Sequence, residues 1–171
     1  GKIDIAPEHN GGNPWATAVT TDLSRVYVTL WGGGGVAVID ALALQEIDTI
    51  PDEPGNPGSI GINHIELPKG AVPFWIVVDS ASKYAYVSDS VAGEGGVGTV
   101  YVIDIDPYSS TYNQHVRTIN VSPAPLGLRG LALNADETRL YVAAPGRDLF
   151  GADAGRDGYL LVIDTDLTAP K

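Results

Sequence analysis

Aspartates crowd one stretch of this chain. The run Asp148-Leu149-Phe150-Gly151-Ala152-Asp153-Ala154-Gly155-Arg156-Asp157-Gly158 sets carboxylates among glycines. A calcium loop needs oxygens at alternate residues around a sharp glycine turn, and Asp153-x-Gly155-x-Asp157-Gly158 matches the start of one. The match is partial. Gly155 brings no side-chain oxygen to the middle ligand position, and the twelfth position from Asp153 holds Asp164 where a bidentate Glu belongs. Asp153 and Asp157 are therefore the metal candidates, with calcium as the ion. The plainer reading of the same residues is a connector whose aspartates make turns.

Other chemistry-bearing residues do not converge. Trp31-Gly32-Gly33-Gly34-Gly35 lacks the Gly-Lys-Ser/Thr ending of a phosphate loop, and no helix pattern follows it. Ser59 misses a nucleophile elbow because Pro57 stands where glycine is needed. His9, His64 and His115 share no metal-binding spacing and read as surface or turn residues. Asn120-Val121-Ser122 is a formal glycosylation sequon followed by Pro123. Arg129 alone brings charge to the start of an inner strand, and one Arg makes no catalytic site. No cofactor other than calcium is expected.

The elements that carry these residues are repeats. Arg25-Val26-Tyr27-Val28, Tyr84-Ala85-Tyr86-Val87 and Arg139-Leu140-Tyr141-Val142 say the same thing three times, and each leads to a strand ending in Ile-Asp at Asp40, Asp104 and Asp164. The key tyrosines lie 59 and then 55 residues apart, with the excess over a compact repeat falling in loops. Short Val/Ile/Tyr runs between Gly- and Pro-rich turns predict strands. The spans are 14–20, 25–30, 36–40, 44–50, 73–79, 83–88, 99–105, 115–121, 129–133, 139–143 and 159–164. The first strand of each repeat is almost continuously apolar and reads as buried on both faces. The expected core is Val19, Tyr27, Ile39, Val78, Tyr86, Ile103, Leu133, Tyr141 and Ile163. An aspartate present in every repeat serves the repeat, so Asp40, Asp104 and Asp164 read as turn formers.

Four antiparallel strands with a polar outermost strand make one blade of a β-propeller. The pattern carried by Pro14, Val19, Asp22, Arg25, Tyr27, Val28, Val36, Val38, Ile39 and Asp40 resembles the YVTN family of β-propeller repeats. Pro73, Val78, Tyr86, Val87, Val102, Ile103 and Asp104 carry it in the second copy, and Asp136, Arg139, Tyr141, Val142, Val162, Ile163 and Asp164 in the third. The expected fold class is all-β, with about three blades: 13–52, 71–122 and 126–171, an insertion at 53–70 and a spare outer strand at 2–6. Three blades do not close a ring. Closure then falls to remaining blades of the same polypeptide or to a second copy, with Lys2–Ile5 of one copy serving as outer strand for Tyr159–Asp164 of the other. Beginning at Gly1 and holding no Met, the chain reads as an excised piece of a longer polypeptide.

The same strand connection in each blade projects from the same rim, so Trp31, Glu94, Asp148 and Phe150 are the binding candidates. The resemblance implies cell-surface and interaction roles, or an enzyme: a lactonase, or the propeller subunit of a cofactor-bearing oxidoreductase. A net charge of −11 argues against nucleic acid and anionic membrane surfaces. No apolar run is long enough to cross a membrane as a helix. Zero cysteines exclude disulfides and thiolate metal sites. The expectation is a non-enzymatic binding or structural module, secreted or on a cell surface, that meets protein or carbohydrate through its rim loops.

Overall fold

The computed structural model describes residues 2–5, 12–50, 63–147, 155 and 157–166. Three antiparallel sheets follow one another along the chain. The first holds β1 (Pro14–Val19), β2 (Arg25–Leu30), β3 (Gly35–Asp40), β4 (Gln45–Ile47) and β5 (Ile65–Glu66). The second holds β6 (Pro73–Val78), β7 (Tyr84–Asp89), β8 (Gly98–Asp104) and β9 (Gln114–Val121). The third holds β10 (Leu131–Leu133), β11 (Arg139–Ala144) and β12 (Tyr159–Asp164). Each is a propeller blade in meander order, and the all-β expectation holds.

Each hairpin from first to second strand closes on a left-handed residue at the same place: Leu23 (φ 61°), Ser82 (φ 52°) and Glu137 (φ 57°). Third-strand aspartates close the next turn. Asp40 Oδ1 accepts the N–H groups of Leu42 (2.9 Å) and Ala43 (2.8 Å). Asp104 accepts the Asp106 N–H, and Asp164 the Asp166 N–H, both at 3.0 Å.

The core lies between blades. Tyr27, Val36 and Val38 of blade 1 meet Ile76, Val87 and Ile103 of blade 2, with Ile65 beside them. The opposite face of blade 2 offers Tyr86, Val100 and Val102 to Leu131, Leu140, Val142 and Ile163 of blade 3. The outward face of blade 1, built of Val28, Leu30, Ala37 and Ile39, is covered in part by Ile3 and Ile5. Lys2–Ile5 thus packs on its own blade and forms no strand within this chain.

Two burial expectations are corrected. The strands buried on both faces are the middle ones of blades 1 and 2, β2, β3, β7 and β8, whereas β1 exposes Trp15, Thr17 and Val19. A blade's inner strand has a paired neighbour on one edge only, while middle strands are paired on both edges and faced by other sheets. Among the expected core residues, Tyr27, Ile39, Tyr86, Ile103 and Ile163 are buried, and Val78, Leu133 and Tyr141 are half-buried. Val19 is exposed. The register explains it: Ala18 lies opposite Tyr27 and Val77 opposite Tyr86, so Val19 and Val78 point to the other face. Val78 finds blade 1 there, while Val19 has no neighbouring sheet on that side among the described residues.

The outer edge of blade 1 is shared. The expected strand 44–50 shortens to β4, which pairs with residues 38–40 of β3, and β5 pairs with Gly35 and Val36. β5 comes from the stretch read as an insertion. Asn63 closes that stretch at its base: its N–H donates to Asp48 Oδ1 (3.0 Å), and its carbonyl accepts the Thr49 N–H (2.9 Å). Gly35 has to be glycine. A Cβ there would stand 2.5 Å from the Ile65 carbonyl oxygen and overlap the His64 ring.

Candidate functional site

Trp15, Phe74 and Arg129 occupy one position in three blades, the residue after Pro14, Pro73 and Leu128. The structure stacks them into a rail across neighbouring inner strands. The Trp15 and Phe74 ring centroids are 5.1 Å apart, tilted by 38°. The Arg129 guanidinium carbon stands 5.1 Å from the Phe74 centroid. Trp31, on the β2–β3 connection, extends the rail with its ring 5.8 Å from Trp15. Trp15 is 46% and Trp31 38% exposed. Aromatic pairs of this kind contribute about 0.5–1.5 kcal/mol each beyond burial, and a cation over a ring about 0.5–1 kcal/mol.

Ser90 holds both ends of the rail. Its Oγ accepts the Trp31 Nε1–H (3.2 Å) and donates to the Val72 carbonyl (3.0 Å), while its carbonyl accepts Arg129 Nη1 (3.0 Å). Nη1 also donates to the carbonyls of Leu126 (3.2 Å) and Leu128 (2.9 Å). Trp31 is fixed through its backbone too, donating its N–H to the Asn13 carbonyl (3.0 Å). Next to Ser90, buried Asp89 accepts the Tyr101 hydroxyl (2.7 Å) and the N–H groups of Val72 (3.2 Å) and Val91 (2.8 Å). Burial first, and then the Asp89 carboxylate, push the Tyr101 phenol well above its ordinary pKa. Ser90, the residue after β7, is thereby held at the end of that strand.

Below the rail, hydroxyls stitch each blade to the next. Thr29 Oγ1 accepts the Ala16 N–H of its own blade and donates to the Phe74 carbonyl of blade 2, both at 3.0 Å. Ser88 Oγ repeats this: it accepts the Trp75 N–H (3.1 Å) and donates to the Arg129 carbonyl of blade 3 (2.7 Å). Both stitches bridge the register shifts in β1 and β6, so the bulges that turn Trp15 and Phe74 onto the rail also lock the blades together.

The binding candidates separate. Trp31 reaches the second rim loop at Ser90, its base, while Glu94 stands exposed in the Gly93–Val97 turn. Asp148, Phe150 and Asp153 lie outside the described residues. Asp157 is described and exposed. The histidines read as surface residues differ in part. His64 lies half-buried beside Gly35, and His115 half-buried and edge-on to Tyr101 at 5.7 Å, where burial lowers its pKa. His9 lies outside the described residues. Trp15 and Phe74 were legible only as strand residues. Their shared position after the repeat proline is the signal that could have found them.

No family model matches the chain, and no curated protein matches it. Solved structures do. A putative 6-phosphogluconolactonase from Bacteroides fragilis superposes with a TM-score of 0.57 at 15% identity, over 95% of this chain and 41% of that one. A luciferin-regenerating enzyme gives 0.55 at 17% identity, over 91% and 45%. TolB from Acinetobacter baumannii gives 0.52 at 11% identity, over 90% and 30%. At these identities the likeness is one of fold, and the chain spans less than half the length of each neighbour. The fold they share with it is the β-propeller, of which this chain forms part.

Proposed function

We propose that the chain is a non-enzymatic binding module of a larger secreted or cell-surface protein, built of YVTN-type repeats, that takes a protein or carbohydrate partner on its rim. One observation carries the reading: Trp15, Trp31, Phe74 and Arg129 form a single partly exposed array whose two ends are tied to Ser90. Trp and Arg supply most of the energy in many interfaces. Anchors already held by hydrogen bonds lose little freedom when a partner arrives. Neutral or basic partners suit a chain of net charge −11 better than acidic ones.

A glycan microarray and a displayed peptide library, probed with wild type and with Trp15→Ala/Trp31→Ala, test the reading. The expected result is ligands for wild type whose affinity falls at least tenfold in the double variant, with the circular dichroism spectrum unchanged. Ligands bound equally by both proteins would move the site elsewhere.

An enzyme is the second reading, favoured by the lactonase and regenerating-enzyme names among the fold neighbours. Hydrolysis of gluconolactone or 6-phosphogluconolactone, followed by pH-stat, decides it. Turnover above the spontaneous rate would replace the binding reading.

A further inference from the structure

We propose that a groove between blades 1 and 2, at the end of the strands away from the rail, binds a neutral saccharide chain.

The groove exists because one turn is long. After the ladder pairs Asp40–Gln45 and Asp104–Gln114, the turn from third to fourth strand takes four residues (41–44) in blade 1 and nine (105–113) in blade 2. The longer turn reaches blade 1, where the Tyr27 hydroxyl donates to Asn113 Oδ1 (3.1 Å). Pro107 and Tyr112 of that turn face Thr20, Ser24 and Arg25 across a cavity of about 140 Å³. A second cavity, of about 480 Å³, shares Asp22, Ser82 and Pro107 with the first and extends to Lys83, Asp106 and Tyr108. That volume lies in the range of small-ligand sites. Both walls come from adjacent blades of this chain, joined at the groove by the Thr21 N–H, which donates to Ser82 Oγ (2.9 Å). Arg25 begins β2 and Lys83 precedes β7, whereas Trp31 and Ser90 follow the far ends of those strands. Groove and rail are therefore separate sites.

Tyr108 is the exposed anchor. It is 96% exposed, yet the turn that carries it is tied down. Asp104 accepts the hydroxyls of Ser109 and Thr111 and the Asp106 N–H (3.0 Å), and its carbonyl accepts the Asn113 N–H (2.8 Å). Asp106 Oδ1 then accepts the Tyr108 N–H itself (3.0 Å). A phenol ring on a backbone already ordered can stack on a ligand without a further ordering cost in the loop.

The lining chooses the ligand class. Two carboxylates, Asp22 and Asp106, and two cations, Arg25 and Lys83, balance one another there, in a chain of net charge −11. Such a lining selects neither an anion nor a cation. It sets acceptors beside donors, which suits hydroxyl groups that both donate and accept. Thr20 and Ser24 hydroxyls hold Asp22 ionised as an acceptor. Arg25 Nη1 donates to the Ser24 carbonyl (2.8 Å) and Asp40 Oδ2 (3.1 Å), but its Nε–H is buried without a partner. A buried donor left unpaired is costly, and a sugar oxygen in the adjoining cavity would accept it. The apolar C–H face of a pyranose ring fits against Tyr108, which completes the recognition.

Titration of the isotope-labelled 171-residue chain with cellohexaose, maltohexaose, chitohexaose and mannohexaose, followed by amide NMR, tests the proposal. The expected result is that at least one of the four shifts Thr21, Ser82, Lys83, Asp106 and Tyr108, with a Kd on the order of millimolar or tighter. Tyr108→Ala should weaken that binding at least tenfold with an unchanged urea midpoint, and Lys83→Ala, also at an exposed residue, severalfold. Trp15→Ala/Trp31→Ala should leave it unchanged, which separates this groove from the rail. A hexalysine peptide should shift these residues less than the sugar does. No shift with any of the four sugars, shifts confined to the rail, binding unaltered by Tyr108→Ala, or tighter binding of hexalysine in the groove overturns the proposal.

Discussion

Single residues set the turns, and two of their properties are measurable. Leu23 adopts φ 61° with an exposed side chain, a conformation that costs a β-carbon-bearing residue about 1–2 kcal/mol and Asn less. Leu23→Asn should therefore raise stability by roughly 0.5–1 kcal/mol, read as a higher urea midpoint at unchanged slope. The turn aspartates give the second. A side-chain hydrogen bond from Thr20, then bonds from Ser24, hold Asp22 at a pKa of about 2. Backbone N–H groups of Ala43 and Leu42 lower Asp40, and Thr138 lowers Asp136. Burial works to raise Asp104, but Ser109, Thr111 and the Asp106 N–H outweigh it. A folded pKa below the unfolded one makes ionisation favour the native state, so this stability is present above the ordinary carboxylate range. It should be lost as pH falls from about 4 towards about 2. Asp79, raised chiefly by burial, acts in the opposite sense and offsets part of the loss. Urea midpoints at pH 7, 4 and 2.5 check the direction. A midpoint that rises on acidification would contradict it.

Elements are joined by the hydroxyl stitches, and these should be the sensitive points between blades. Removing the Thr29 hydroxyl leaves the Ala16 N–H and the Phe74 carbonyl without that partner, in surroundings where Thr29 is fully buried. Thr29→Val and Ser88→Ala should each cost about 1–3 kcal/mol. Ala143→Ser, at the same place in blade 3, should change stability by less than about 0.5 kcal/mol. Equilibrium unfolding of the three variants gives the comparison, and equal losses in all three would show that the stitches do not couple blades. Gly35→Ala addresses the shared edge of blade 1. It should separate β5 from β3 and speed amide exchange at residues 35 and 36, while β4 keeps its protection.

The whole molecule is a stack of sheets whose stability resides in the layers between them. Leu140 is fully buried in the layer between blades 2 and 3, and Ile103 in that between blades 1 and 2. Truncating either to Ala should cost about 2–5 kcal/mol. In such arrays stability is approximately a sum of unit and neighbour terms. Leu140→Ala should then expose blade 3 to exchange before blade 1, and Ile103→Ala should loosen blade 1 first. Amide exchange read by mass spectrometry separates these outcomes from uniform unfolding.

Local sequence determined the strands and their order, because short β-branched and aromatic runs between Gly, Pro and Asp turns leave the chain little else to form. Tyr27, Tyr86 and Tyr141 fixed the register of the repeat, and Asp40 the turn after it, since both act within a few residues of themselves. What lay beyond the sequence depended on the third dimension. The bulges in β1 and β6 shift the register, so Trp15 and Phe74 leave the strand pattern and meet Trp31 and Arg129 across blades. Ser90 became a clamp because the folded chain brings a loop of blade 1 and the start of blade 3 to its two sides. The exposure of Val19 and Val162, and the burial of Val38 and Val102, are likewise invisible in residue type. They depend on whether another sheet lies against that face, and only the stacking of blades decides it.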